Sequence, residues 1–330
     1  MEEKKLSFED LKPMLRPTGV VRGKIHVDPG KCTSCGLCII NCPFDCMEMD
    51  ELKHPKMKDE YTCMTCSNCI VACEAGALSI EQGFDVKGGF FDCRIPPIGM
   101  PLAPKDAEGQ PDEWNDVEKL ILERRSVRNY KKKPVPEPIL RRILEAGRFS
   151  PSGGNHQPWK FTVVTNPDLI AEMEAACHGF WAGTYPVFIN DDTVMNMVGA
   201  VPTGVFDPRT QRGIKCVAEK KLPIFFNSPV VILMGSNTKA NDPEVSIGIC
   251  GQNMNTVAQS HGLGACWSNF GGVAINSIPE LKSKFGFEEP WKVQTCFCLG
   301  YPKFRQAGMV ARQLRPIMWF RPGSDQAQSD

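Results

Sequence analysis

Net charge is missing from this chain: 38 lysines and arginines balance 38 aspartates and glutamates over 330 residues. A protein that grips nucleic acid or an anionic membrane does so through a basic excess or patch. None stands out, and the short run Lys131-Lys132-Lys133 reads as a solvated loop. A long apolar run is missing too. No stretch approaches the roughly 20 residues that cross a bilayer, and the charged start Met1-Glu2-Glu3-Lys4-Lys5 leads into no apolar signal core. The expectation is a cytoplasmic protein with neither nucleic acid nor membrane as partner. No G-x-G-x-x-G follows a strand-like stretch, so no Rossmann dinucleotide site is legible. No catalytic acid stands out either, since His156 is isolated and reads as a positioning or packing residue.

What the chain has in excess is cysteine, 16 in all. A long chain without a signal segment is not a disulfide scaffold, so its cysteines bind metal or stay reduced. Eight fall into two copies of one spacing, 31 residues apart: Cys32-x-x-Cys35-x-x-Cys38-x-x-x-Cys42-Pro43 and Cys63-x-x-Cys66-x-x-Cys69-x-x-x-Cys73. Three cysteines in seven residues wrap three irons of a 4Fe–4S cubane. The fourth cannot easily fold back and ligates the other cluster. The expected sets are therefore Cys32, Cys35, Cys38 and Cys73 for one cluster, and Cys63, Cys66, Cys69 and Cys42 for the other. Gly36 suits a loop whose backbone must approach inorganic sulfide. Zinc, the competing metal, prefers two C-x-x-C pairs parted by a longer loop. The other cysteines, Cys46, Cys93, Cys177, Cys216, Cys250, Cys266, Cys296 and Cys298, read as small buried hydrophobes.

The cysteine-dense part, 1–94, gives way at 95–111 to IPPIGMPLAPKDAEGQP, a proline-rich linker. From 112 onward helices and strands mix without βαβ alternation. Asp112 is expected to cap a helix carrying Trp114, Val117, Leu120 and Ile121. Helices are expected at 136–148, 243–261 and 279–285, and strands at 160–165, 229–234, 264–268 and 292–299. Residues 179–221 show no clear periodicity. Arg124, Arg125, Ser126 and Arg128 gather three guanidiniums and a hydroxyl in five residues, a plausible phosphate clamp, although arginines at a helix end also merely complement its dipole.

Two resemblances give these residues roles. Val27-Asp28-Pro29-Gly30-Lys31 before the first cysteine copy and Ala77-Leu78-Ser79-Ile80 after the second resemble the bacterial two-cluster ferredoxin pattern. It departs from that pattern at Glu74, where proline usually follows the last cysteine. The segments Arg124–Tyr130, Ser150–Trp159, Gly262–Trp267, Gly300–Pro302 and Arg312–Pro316, in this order, resemble the FMN-dependent nitroreductase family over roughly 114–318. The resemblance implies an α+β chain: a small ferredoxin-like two-cluster domain, then a mixed sheet flanked by helices in an intertwined homodimer. It implies that Arg124, Arg125, Ser126 and Arg128 grip the FMN phosphate and ribityl chain. Pro151, Ser152, Gly153 and Asn155 would reach the flavin across the dimer interface, and Trp267, Ser268, Asn269 and Phe270 would lie behind its ring. Arg312 or Arg315 would close on the phosphate. Because a two-cluster module precedes the flavin domain and no nucleotide fingerprint is visible, the expected activity passes electrons from ferredoxin or a similar low-potential donor through two 4Fe–4S clusters to FMN. From there they reach a small oxidised substrate such as a nitroarene, quinone or activated alkene, in an anaerobic host. Two other readings fit the same parts: an electron-transfer subunit serving a partner protein, and a dehydrogenase running in reverse to reduce ferredoxin. Trp181, Tyr185 and His178 are further candidates for a pocket wall.

Overall fold

The computed structural model describes residues 24–43, 45–58, 63, 67–81, 104–188, 208–304, 318–323 and 328–329. Cys66, Cys93, Arg312, Arg315, the linker's first part (95–103) and the middle of the unassigned stretch (189–207) lie outside the described residues. The chain divides into two compact units, one of residues 1–42, 46–123 and 306–330 and the other of 43–45 and 124–305.

The first unit carries the cysteine repeat, and its strands and helices repeat with it. Strand β1 (Lys24–Val27) pairs antiparallel with β4 (Leu78–Glu81), and β2 (Met47–Met49) with β3 (Pro55–Met57). The first strand of one copy thus pairs with the last of the other. Two short helices, α1 (Leu37–Ile40) and α2 (Asn68–Ala72), begin 31 residues apart and are preceded by Gly36 and Ser67, both left-handed at φ 73° and 60°. Each chain loop must turn into its helix within one residue, which glycine does freely and serine only at a cost. Met47, Ile70, Leu78 and Ile80 form a small core with Cys38 and Cys69.

Helix α3 (Asp116–Glu123) also belongs to this unit. Its cap is Asn115 rather than Asp112. Asn115 Oδ1 accepts from the Glu118 amide at 3.0 Å while Glu118 Oε2 accepts from the Asn115 amide at 2.8 Å. This reciprocal pair closes a capping box. Asp112 instead accepts from its neighbour Glu113.

The second unit is a sheet between two layers of helices. Its strands are β5 (Trp159–Val164), β6 (Val230–Asn237), β7 (Gly264–Ser268) and β8 (Trp291–Gly300), in the order β5-β6-β8-β7. All three pairings are antiparallel. The parallel component of the sheet is one bridge at its edge, between Ser126 and Ala265. β6 is apolar without alternation, as a strand covered on both faces must be. Val231 and Leu233 enter one core with helices α5 (Pro167–Phe188) and α6 (Pro208–Ala218), while Val230, Ile232 and Met234 enter the other. That second core is closed by α4 (Glu137–Arg148) and α7 (Pro243–Ser260). Helix α8 (Asn269–Ser277) starts directly from β7, with Ser268 Oγ accepting the Gly271 amide at 3.3 Å. Helix α9 (Pro279–Lys284) follows it.

Candidate functional site

In the cysteine unit, Cys32, Cys35, Cys38 and Cys73 line one small cavity together with Val27, Pro55, Ala77 and Leu78. Three of these thiols come from the first copy and the fourth from the second, because the exchanged strands carry Cys73 across. This is the set that spacing assigned to one cluster. Its chemistry suits a cubane: four soft donors around a walled space, with amide hydrogens aimed at sulfur. The Ser34 amide lies 3.4 Å from Cys32 Sγ and the Ala77 amide 3.3 Å from Cys73 Sγ. Burial, with the thiols of Cys35 and Cys73 nearby, pushes Cys38 up to about 11. Gathering thiolates in this way is unfavourable without a cationic partner. Among the described residues no three His, Cys, Asp or Glu side chains converge closely enough for a single bound ion. A cubane, whose thiolates attach to separate irons, does not ask for that convergence.

The second set is described only in part. Cys42 and Cys63 are half-buried and Cys69 is buried, while Cys66 is outside the described residues. The Cys46 amide lies 3.3 Å from Cys42 Sγ, as the Ala77 amide does from Cys73. Cys46 therefore takes the place in the first copy that Ala77 takes in the second.

In the second unit, the arginine segment lies along the free edge of β7. The Val127 amide donates to the Ala265 carbonyl at 3.0 Å, and Ser126 bridges Ala265. Gly264 makes this approach possible, since a Cβ there would fall 2.4 Å from Val127 Cγ2. Tyr130 pins the segment from below: its hydroxyl donates to the Val127 carbonyl at 2.5 Å, with the Cys298 carbonyl 3.0 Å away. Burial holds that phenol well above its ordinary range. Arg128 stacks on Phe226, its guanidinium carbon 5.7 Å from the ring centre. Burial raises the Cys266 thiol, and Arg128, Ser126 and Arg124 pull it back. Two guanidiniums and a hydroxyl thus lie on the segment flanking the buried Cys266, and that donor set fits a phosphate.

Trp267 to Phe270 continue from the same strand. Trp267 is half exposed and packs over Gly251 of α7, while Ser268 is buried as the cap of α8. Asn269 Oδ1 accepts from Thr295 Oγ1 at 3.0 Å. Trp181 donates its indole N–H to the Phe270 carbonyl at 3.0 Å and meets the Phe270 ring edge-on. Trp181 thus supports this segment from α5, while His178 faces a different cavity and Tyr185 packs against the core.

The loop of Pro151, Ser152, Gly153 and Asn155 is not brought to the arginines within one chain. It leads into β5 at Trp159, which pairs with Ser236 and through it with Lys292. The arginine segment sits beside Ala265, which pairs with Leu299. From Lys292 to Leu299 is roughly 23 Å at about 3.3 Å per strand residue. Three of the four positions from 154 to 157 are left-handed: Gly154 and Asn155 at φ 57° and 55°, and Gln157 at φ 49°. Pro151, Gly154 and Asn155 face solvent. Ser150 Oγ accepts from Asn253 of α7 at 2.9 Å, which fixes the loop's base.

The spare cysteines of this unit are inert packing groups. Burial pushes Cys177 and Cys250 up to about 12 and raises Cys296 and Cys298 well above the ordinary thiol range.

Comparison with known proteins finds two families along this chain. A model described as the nitroreductase family matches residues 121–301, and one described as a 4Fe-4S binding domain matches 25–48. An NADH dehydrogenase of Thermus thermophilus is 45% identical over 64 residues, 19% of this chain and 31% of that protein. An NAD(P)H-quinone oxidoreductase subunit I of Gloeobacter violaceus is 30% identical over 81 residues, 22% of this chain and 39% of that one. The match thus spans about a third of the length of these curated relatives. A solved nitroreductase with bound FMN from Desulfitobacterium hafniense is 25% identical, covering 61% of this chain and 96% of that one at a TM-score of 0.48.

Proposed function

The chain belongs to the nitroreductase family, and from that premise we propose an FMN-dependent oxidoreductase fed by its own iron–sulfur module. The observation that carries this reading is the arginine segment laid along the free edge of β7, fixed there by Val127 and Tyr130 and with Arg128 stacked on Phe226. In the reading, Arg124, Arg125, Ser126 and Arg128 hold the FMN phosphate. Trp267, Ser268, Asn269 and Phe270 back the flavin ring, and Arg312 or Arg315 closes on the phosphate. Pro151, Ser152, Gly153 and Asn155 come from a second copy of the chain. Their position at the far end of the sheet in their own chain supports a homodimer with the flavin between copies. Bound there, FMN exchanges electrons singly with a cluster and in pairs with a substrate.

In the cysteine unit, Cys32, Cys35, Cys38 and Cys73 hold one 4Fe–4S cluster, and Cys63, Cys66, Cys69 and Cys42 hold a second. The exchanged strands and the shared cavity support this crossed assignment. Single electrons from ferredoxin or a similar low-potential carrier enter through the clusters. They leave from the flavin to a small oxidised organic molecule, a nitroarene, quinone or activated alkene. A second reading is favoured by the name of the Thermus relative, an NADH dehydrogenase: a nicotinamide delivers hydride directly to the flavin.

The proposal is tested by composition. Protein purified anaerobically should carry about one FMN, and about eight iron and eight sulfide, per chain, as two cubane clusters require. Zinc without sulfide would remove the cluster assignment. FAD, or no flavin after reconstitution, would remove the flavin assignment.

A further inference from the structure

A cavity of about 680 Å³ opens in the second unit between the Lys132–Val135 turn, the start of α5, Lys220 and the Asn227–Val230 entry to β6. None of the residues assigned to the flavin lines it. Its body is apolar, with Pro134, Ile170 and Ala171 among its walls. Three lysines, Lys132, Lys133 and Lys220, stand on its lining and are exposed. Among the described residues none of the three enters an ion pair. The Lys133 ammonium instead lies 4.3 Å from the centre of the Tyr301 ring.

The lining carries one carboxylate against these three lysines, and it is already engaged. Glu174 is consumed by the fold: its oxygens accept the amides of Ile224 at 2.5 Å and Phe225 at 2.9 Å, and His178 Nε2 lies 2.9 Å away. His178 in turn reaches the Val217 carbonyl through Nδ1 at 2.7 Å. The floor is therefore polar but satisfied, and lysines outnumber carboxylates three to one on the lining.

The backbone beside the cavity is also unusual. Lys220, Phe226 and Asn227 are all left-handed, at φ 57°, 55° and 52°. Non-glycine residues adopt that region only where surrounding structure holds them there, and such positions gather at ligand sites. Phe226 is the ring on which Arg128 stacks, so one turn borders both the cavity and the arginine segment.

We infer that this cavity is a binding site for a small organic anion with an apolar body, an aryl or short-chain carboxylate, separate from the flavin site. The apolar walls take the body, and Lys132, Lys133 and Lys220 take the carboxylate. A cation of the same shape meets three like charges, and a neutral analogue gains nothing from them.

The test uses the intact, cofactor-loaded chain and 3-phenylpropionate as probe, with 3-phenylpropanol and 3-phenylpropylamine as matched controls, titrated calorimetrically. The expected result is one saturable site per chain for the acid, weaker for the alcohol and weakest for the amine. Replacing Lys132, Lys133 and Lys220 by Gln should weaken the acid roughly two- to fivefold per lysine, as exposed ion pairs are worth. Ala171→Trp, at an exposed position, should fill the space and abolish binding while flavin content and the flavin absorption spectrum stay unchanged. Binding that survives Ala171→Trp belongs to another site and overturns the inference. So does an absence of saturable binding, or an amine that binds as well as the acid.

Discussion

Arg128 is held in place before any ligand arrives. Its guanidinium lies over the Phe226 ring and reaches the Ser126 carbonyl at 3.4 Å, while its backbone segment is tied to Ala265 and pinned by Tyr130. Pre-ordering of this kind lowers the entropic cost of gripping a phosphate. Arg128→Ala should therefore weaken FMN retention by roughly ten- to a hundredfold, since a charged hydrogen bond is worth about 1.5–3 kcal/mol. The melting temperature of the flavin-free protein should hardly move. Equal losses of flavin and of fold would instead make Arg128 a structural residue. Tyr130→Phe acts in the other order. It removes the hydroxyl that meets the Val127 carbonyl and lies near the Cys298 carbonyl, both enclosed, so it should cost about 1–3 kcal/mol of stability. A thermal melt checks this. Flavin affinity should fall only as far as the segment loosens. Phe226 could not be chosen from the sequence for its role because Arg128 lies far away along the chain, and Tyr130 could not because its place under the sheet is set by the distant Cys298 carbonyl. Arg128 could, because its neighbours Arg124, Arg125 and Ser126 are adjacent in sequence.

Elements were legible where periodicity or a breaker marked them. The strand at β6, the long helix α7 ended by Gly262 and the short α9 lie within a few residues of their expected places. Helix α5 was not expected from the sequence at all. Its second half, Cys177-His-Gly-Phe-Trp-Ala-Gly-Thr-Tyr185, is apolar all round and carries two glycines. Its exposed positions, Gly179, Ala182 and Gly183, are small rather than charged, so no polar stripe marks the solvent face. Helix α8 was hidden because its cap, Ser268, stands inside a segment read only for its contact with flavin. The cysteine unit gave its internal repeat through spacing, but spacing does not say that the strands are exchanged. That exchange has a consequence for the clusters. Cys42 and Cys73 occupy equivalent places, each meeting an amide four residues on. Cys73 joins the cavity of the opposite triplet. By the same symmetry Cys42→Ala should first damage the cluster of Cys63, Cys66 and Cys69, while Cys73→Ala should first damage that of Cys32, Cys35 and Cys38. Anaerobic paramagnetic resonance on the two variants would show the loss in different signals. If both variants lost the same signal, the crossed assignment would fail.

At the scale of the whole molecule the question is the direction from which electrons come. A flavin site alone takes hydride from a nicotinamide that lies against the ring, and nothing more is needed for turnover. This chain couples its flavin-type unit to a unit that gathers four thiols around one cavity. A cluster passes one electron at a time, so clusters at the entry serve a one-electron donor and clusters at the exit a one-electron acceptor, and the proposed route uses the first. The full-length protein, mixed anaerobically with reduced ferredoxin, should show bleaching of the cluster absorbance before or together with that of the flavin. Turnover with a quinone or nitroarene should then be sustained. A chain shortened to begin at Gln110 should keep FMN, accept electrons from a chemical reductant such as dithionite, and lose only the ferredoxin-driven rate. Its retained flavin serves as the control that the second unit still folds. NADH or NADPH should reduce the full-length flavin slowly by comparison. The opposite pattern is rapid reduction by a nicotinamide at a rate that the shortened chain retains in full. That outcome would place the entry point at the flavin itself and leave the clusters as an exit, which is the dehydrogenase reading running towards ferredoxin.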